Sequence, residues 1–209
     1  RGHLPALHRR DPPVRIEEIA GFAFRPYAEI AAAVIAPFVG DDIERGELEA
    51  MIAAAAGTFR HPATTPVTQI APNHFLLELF HGPTLAFKDV AMQLLARLVD
   101  RRLAETGQRA TVVGATSGDT GAAAVQAFRG RDNVDVVILY PHGRVSPVQR
   151  RQMTTAGDDN VHVLAIDGTF DDCQAIVKDM FAHTSFREAV GLTGVNSINW
   201  ARIVAQVGY

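Results

Sequence analysis

From residue 60 onward, short apolar runs of strand character alternate with longer segments of helical periodicity, and few folds accommodate that alternation. Phe75 to Leu79, Ala110 to Val113, Val134 to Tyr140 and Val161 to Ile166 read as strands. Lys88 to Glu105, Thr120 to Arg129, Ser146 to Thr155 and Phe170 to His183 read as helices. A run such as Val136-Val137-Ile138-Leu139 is apolar on both faces, so it belongs in a sheet buried from both sides. The expected fold is α/β, a parallel sheet covered by helices and preceded by a small helical N-terminal region. In that region Pro26 to Val39 and Asp41 to Ala56 read as alanine-rich helices parted by Gly40, the second capped by Asp41 or Asp42. They carry packing rather than chemistry, which divides the chain into a helical part over residues 1–60 and an α/β part over 61–209. The last segment places Trp200, Ile203, Val204 and Val207 on one helical face.

Composition narrows the function classes. A formal charge of −3 with 21% charged residues does not suggest a nucleic-acid binder. No uninterrupted apolar run approaches the ~20 residues that span a bilayer, and Arg1 to Val14 lacks the apolar centre of a signal peptide. A single cysteine, Cys173, excludes an internal disulfide, and its place in an apparent helix makes it a small core residue. The expectation is a cytoplasmic protein with no membrane and no nucleic acid, and self-association left open.

Two stretches carry chemistry. The first runs Phe80-His81-Gly82-Pro83-Thr84-Leu85-Ala86-Phe87-Lys88-Asp89 and ends where a turn becomes a helix, with Leu94, Leu95, Leu98 and Leu103 marking the helical face and Gly107 its stop. Lys88 therefore opens that helix. A helix N-terminus disfavours a cation, so an ammonium there is biased towards losing its proton and becoming a nucleophile for aldehydes. The plainer alternative is a lysine that extends into solvent. The second stretch is Gly114-Ala115-Thr116-Ser117-Gly118-Asp119-Thr120-Gly121, which follows a strand and starts a helix. Its glycines let a ligand approach the backbone, and free N–H groups with the hydroxyls of Thr116, Ser117 and Thr120 can hold a carboxylate or phosphate. A purely structural turn with Ser117 as helix cap has the same pattern.

These two stretches together resemble threonine synthase, a pyridoxal-phosphate enzyme of the tryptophan-synthase-β fold type, fold type II. Further matching blocks are Pro141 to Met153, Gly168 to Gln174 and Val195 to Ile203, all in the family's order. The resemblance covers about Glu17 to Tyr209, whereas Arg1 to Val14 departs from the family's opening beyond Arg1-Gly2. It implies a carbon–oxygen lyase that converts O-phosphohomoserine and water into threonine and phosphate, with pyridoxal phosphate joined to Lys88, which then serves as general base and acid. It also implies that Thr116, Ser117, Gly118, Asp119 and Thr120 grip the substrate carboxylate, and that Asn196, Ser197, Asn199 and Arg202 line the active-site wall, Arg202 towards the substrate phosphate. Many relatives have asparagine at the position of Asp119, donating to the cofactor's ring oxygen. An ionised carboxylate cannot donate, so Asp119 is either protonated there or turned away to accept from the helix N-terminus and Thr120, the second being preferred. Phe87 can pack near the cofactor ring, though a core phenylalanine is the simpler reading. The family's cradle for the cofactor phosphate lies beyond the equivalent of Tyr209, so the fold type is expected to be incomplete and the 209-residue chain inactive by itself.

The rival readings share some of these residues. A serine or threonine dehydratase of the same fold type has the lysine and the anion turn but rejects the substrate phosphate. A non-catalytic partial chain needs neither. A dinucleotide site lacks an acidic residue after Leu139-Tyr140-Pro141-His142, and a P-loop lacks its Gly-Lys-Ser/Thr run. Arg144, Arg150 and Arg151 around a Ser146-Pro147 helix start read as a solvated face or a subunit contact, and His61, His74, His81 and His142 have no metal-ligand spacing.

Overall fold

The computed structural model describes residues 14–195 and 199–209. The divergent opening before Val14 and the candidate site residues Asn196 and Ser197 lie outside the described residues.

Among the described residues, three helices come first: α1 (Ile16–Ala20), α2 (Tyr27–Val39) and α3 (Arg45–Ala56). The cap of α3 is Glu44, whose carboxylate accepts from the Glu47 N–H at 3.0 Å, so neither Asp41 nor Asp42 has that role. Gly40, at φ 61°, turns the chain early and leaves both aspartates in the connecting bend. Ala32 and Ile35 of α2 and Leu48 and Ile52 of α3 pack into one apolar cluster with Leu94 and Val204 from the C-terminal part.

A hairpin follows, β1 (Val67–Ala71) and β2 (His74–Leu77), paired antiparallel with Val67 opposite Leu77. The strand expected over Phe75 to Leu79 is thus half of a separate two-stranded sheet and not part of the parallel one. Its cause is local: Pro72-Asn73 makes the reversal, with Asn73 at φ 59°, a left-handed conformation asparagine tolerates.

The remainder alternates: α4 (Lys88–Thr106), β3 (Ala110–Ala115), α5 (Asp119–Phe128), β4 (Val134–Pro141), α6 (Pro147–Thr154), β5 (Val161–Ile166), α7 (Phe170–Ala182), α8 (Thr184–Ala189), β6 (Leu192–Gly194) and α9 (Trp200–Ala205), closed by a 3-10 turn at Gln206–Gly208. The four strands from β3 onward form one parallel sheet in the order β5-β4-β3-β6. Period-two alternation sorts its faces. Val112, Val134, Val136 and Ile138 join Met92 of α4, Phe128 of α5 and Met153 of α6 in one core. Val113, Leu139 and Leu192 meet Cys173 of α7 on the other face. The chain runs outward from β3 through β4 to β5 and then returns to β3's free side with β6. At such a reversal the loops leaving adjacent strands part, and a crevice opens outside their carboxyl ends.

Helix α9 does not bury that apolar face as a unit. Trp200, Ile203 and Val207 are exposed, while Arg202, Val204 and Ala205 are buried. The helix is only six residues long, and its tightening into a 3-10 turn takes Val207 off the α-helical stripe. Among the described residues, no helix is long and apolar enough to cross a membrane.

Candidate active site

Lys88 is the first residue of α4, and the loop before it is pinned by the residue after it. The fully buried Asp89 carboxylate accepts from the Thr84 N–H and the Thr84 hydroxyl, each at 2.8 Å. A Cβ on Gly82 would run into the Asp89 side chain, so glycine lets the loop close over the carboxylate. From α6, the Gln152 amide donates to the Thr84 carbonyl at 2.9 Å. Burial pushes the Asp89 carboxyl up from its ordinary value of 3.8, and the bonds from Thr84 pull the other way.

The sign of the pH effect follows. A carboxyl raised on folding holds its proton more tightly in the folded state, so its contribution to stability grows as pH falls through that raised value and is lost as pH rises. The window extends upward from 3.8. Asp89→Asn can keep both contacts, because the amide oxygen accepts the Thr84 N–H and the amide N–H2 donates to the hydroxyl. Urea unfolding at about pH 7 and about pH 4 should therefore show the parent gaining on Asp89→Asn at the lower pH. Asp89→Leu, which strands the Thr84 N–H, should be less stable at both.

The Lys88 ammonium lies 4.6 Å from the centroid of the Phe87 ring and donates to Asp119 Oδ2 at 3.4 Å. Phe87 is 45% exposed, so it is not the core phenylalanine of the simpler reading. As the residue just before α4 it stays outside the helix packing and turns its ring to the amine.

The glycine turn between β3 and α5 is organised from within. Thr116 is buried, and its hydroxyl oxygen accepts from the N–H groups of Gly118 and Gly121, both at 2.9 Å. Its oxygen therefore shapes the turn, and it does not stand in the cavity as a ligand-facing group. The helix cap is Gly118 at φ 144°, and Ser117 makes no cap bond. Among the described residues, the N–H groups of Ser117, Asp119 and Thr120 have no hydrogen-bond partner. Asp119 does not turn to the helix N-terminus: its Oδ2 faces Lys88 and its Oδ1 accepts from Gln149 Nε2 at 2.6 Å. Two outside donors reach that carboxylate, and a capping geometry would forgo both.

A cavity of about 1130 Å³ opens at the carboxyl ends of β3 and β6, the point where the strand order reverses. Phe87, Lys88, Thr120, Asn199 and Arg202 all line it. Ser117 is exposed beside it, and Gly118 is buried beneath Gln149. Asn199 Oδ1 caps α9, accepting from the N–H groups of Ala201 at 3.0 Å and Arg202 at 3.3 Å. Arg202 is 3% exposed, with Nη1 3.5 Å from the Val195 carbonyl and Nε without a partner among the described residues. Burial lowers its pKa, and no carboxylate among the described residues pairs with it. Such a guanidinium is a receptor for an anion. Lys178 and Gln174 of α7 line the same cavity and escaped the sequence reading, as did Gln149. The helical pattern around Phe170 gave no sign of which face α7 turns to the sheet's end. None of the four histidines singled out lines the cavity; His81 pairs with Glu78 at 2.7 Å.

The family model for pyridoxal-phosphate dependent enzymes matches residues 59–209. The chain belongs to that family. Among its relatives is the threonine synthase of Pseudomonas aeruginosa, 52% identical over 100% of this chain and 48% of the relative. A solved structure of pyridoxal-phosphate-bound threonine synthase from Brucella melitensis superposes with a TM-score of 0.91 at 59% identity, covering 95% of this chain and 43% of that one. Threonine synthase from Escherichia coli does so at 0.81 and 40% identity, covering 96% and 45%. The chain therefore spans about half the length of the relatives it matches. As a member of this family it has the fold type II architecture, a parallel sheet flanked by helices, with a short helical region ahead of it.

Proposed function

We propose that this chain is the lysine-bearing part of a threonine synthase, which converts O-phospho-L-homoserine and water into L-threonine and phosphate. One observation carries the reading: Lys88 and the unpaired N–H end of α5 meet at a single cavity at the sheet's switch point. The residues present fit pyridoxal phosphate. The cavity, about 1130 Å³, exceeds the roughly 300–1,000 Å³ common for small-molecule sites, leaving room for a cofactor with its substrate. It offers an amine for the aldehyde, an aromatic ring beside that amine and a buried cation. Bound there, pyridoxal phosphate supplies an electron sink for a carbanion beside the substrate's amino group.

The chain's own groups then have distinct tasks. Lys88 Nζ would hold the cofactor through its aldehyde and, as an amine at the reacting centre, would take and return protons. Asp119 Oδ2 accepts from that nitrogen and holds its proton in place. The N–H groups of Ser117 and Thr120, with their hydroxyls, donate to the substrate carboxylate. Arg202 and the side-chain amide nitrogen of Asn199 face the substrate's phosphate end, and Phe87 packs beside the cofactor ring. We place the reaction in the cytoplasm, on a small-molecule substrate.

The deciding experiment is an assay of phosphate and threonine formation from O-phosphohomoserine by the protein at its natural length. Both products should appear in equal amounts. Ammonia and 2-oxobutanoate from threonine, with no phosphate release, would identify a dehydratase instead. Ser117→Ala and Thr120→Ala should each weaken substrate-carboxylate binding by roughly ten- to a hundredfold, as expected for one lost hydrogen bond to a charged group. Cofactor affinity, measured on the same preparations by absorbance titration, should change less; an equal loss of both would assign the turn to the cofactor.

A further inference from the structure

We infer that Gln149 is a positioning residue for the Lys88 amine, acting through the Asp119 carboxylate; the catalytic meaning of this contact rests on the function proposed above. Gln149 is the third residue of α6 and bonds with both ends of its amide. Its Oε1 accepts from the Ser146 hydroxyl at 2.9 Å and the Ser146 N–H at 3.4 Å, while its Nε2 donates to Asp119 Oδ1 at 2.6 Å. That assignment is forced by chemistry. A flipped amide would present N–H2 to the backbone N–H of Ser146 and oxygen to a carboxylate, losing both contacts. The start of α6 thus fixes the amide, and the amide fixes Asp119.

Asp119 needs this second hold. Its contact with Lys88 is 3.4 Å long and its side chain is 47% exposed, so water competes for the carboxylate and the ion pair by itself is weak. The short bond from Gln149 selects one rotamer, the one that turns Oδ2 to Nζ. The turn beneath is built to admit this amide: a Cβ on Gly118 would collide with the Gln149 side chain, and φ 144° at Gly118 excludes other residues independently. Among the described residues, Asp119 contacts Lys88 at the start of α4 and pushes the carboxyl of neighbouring Asp89 up, while Lys178 of α7 and Arg202 of α9 line the same cavity as Lys88. Gln149 is therefore a neutral link, joining α6 to the charge beside the lysine.

The test reads Lys88 without the cofactor, so it stands apart from the proposed reaction. Trace acetylation of the cofactor-free protein at its natural length, followed by peptide mass spectrometry across pH, gives the midpoint at which Lys88 becomes reactive. Gln149→Met keeps length and neutrality but has no donor; Gln149→Ala serves should the longer side chain disturb the turn. In either variant the midpoint should fall, and by no more than it falls in Asp119→Asn, because Gln149 acts only through that carboxylate. Ser146→Ala removes the nearer of the two donors to Gln149 Oε1 but leaves the Ser146 N–H, so it should lower the melting temperature and move the midpoint less than either Gln149 variant. In an Asp119→Asn background, Gln149→Met should shift nothing further. An unchanged midpoint in both Gln149 variants, a larger shift in Ser146→Ala than in either of them, or a full further shift in Asp119→Asn would overturn the inference. Failure of borohydride to trap pyridoxal phosphate on Lys88 would instead count against the cofactor reading and leave these labelling outcomes valid.

Discussion

Lys88→Arg abolishes covalent capture of pyridoxal phosphate while leaving the fold in place. Arginine keeps the positive charge, so the contacts with Asp119 and the Phe87 ring have a substitute cation. Its guanidinium stays protonated at any working pH and cannot condense with an aldehyde. Borohydride treatment of the parent with pyridoxal phosphate should label the peptide carrying Lys88, and the variant should show no label there. Label on Lys178, the other lysine lining the cavity, with Lys88 clean, would move the attachment site across the cavity. Turnover should fall by at least the roughly 10²- to 10⁴-fold that a positioned general base contributes, before the loss of the attachment itself is counted.

Thr116→Val should have the largest effect on stability among substitutions at the site. The change is nearly isosteric, so it opens no cavity, and its effect isolates the hydroxyl oxygen. That oxygen is the acceptor for two N–H groups, those of Gly118 and Gly121, in a turn already buried. A stranded buried donor costs about 1–3 kcal/mol, and here there are two. For a chain of this size each kilocalorie lowers the melting temperature by about 2–4 °C, so calorimetry should register a drop of several degrees or more. Thr116→Ser keeps the acceptor and should recover most of the loss. A Thr116→Val protein as stable as the parent would mean that the two N–H groups find water, and that the turn is looser than its geometry shows.

Where the two stretches of chemistry would lie was legible from residues alone, because each is a local junction. Helix α4 begins at Lys88 and stops at Gly107, which takes φ 64°, as the leucine spacing and the glycine dictate. Helix α6 starts on Ser146 with proline in its first turn. Within the junctions, the direction of each side chain was not legible. Thr116 looked like a ligand-facing hydroxyl and is an internal strut; Asp119 looked like a cap and faces an amine 31 positions earlier in the chain. Such choices depend on which donors arrive from other elements, and Gln149 arrives from a helix 30 residues on.

The sequence by itself determined the strand-and-helix alternation, the two-sided burial of β4, the helix start at Lys88 and the glycine turn after β3, since all of these follow from periodicity and from backbone constraints within a few residues. Only the tertiary structure decided that β6, three residues with little signal of their own, lies against β3. It also assigned Phe75 to a separate hairpin, and it buried Arg202 while leaving Trp200 exposed. The physical reason is the same in each case. Strand order and helix facing are set by competition among distant surfaces for one core, and no window of local sequence contains both competitors.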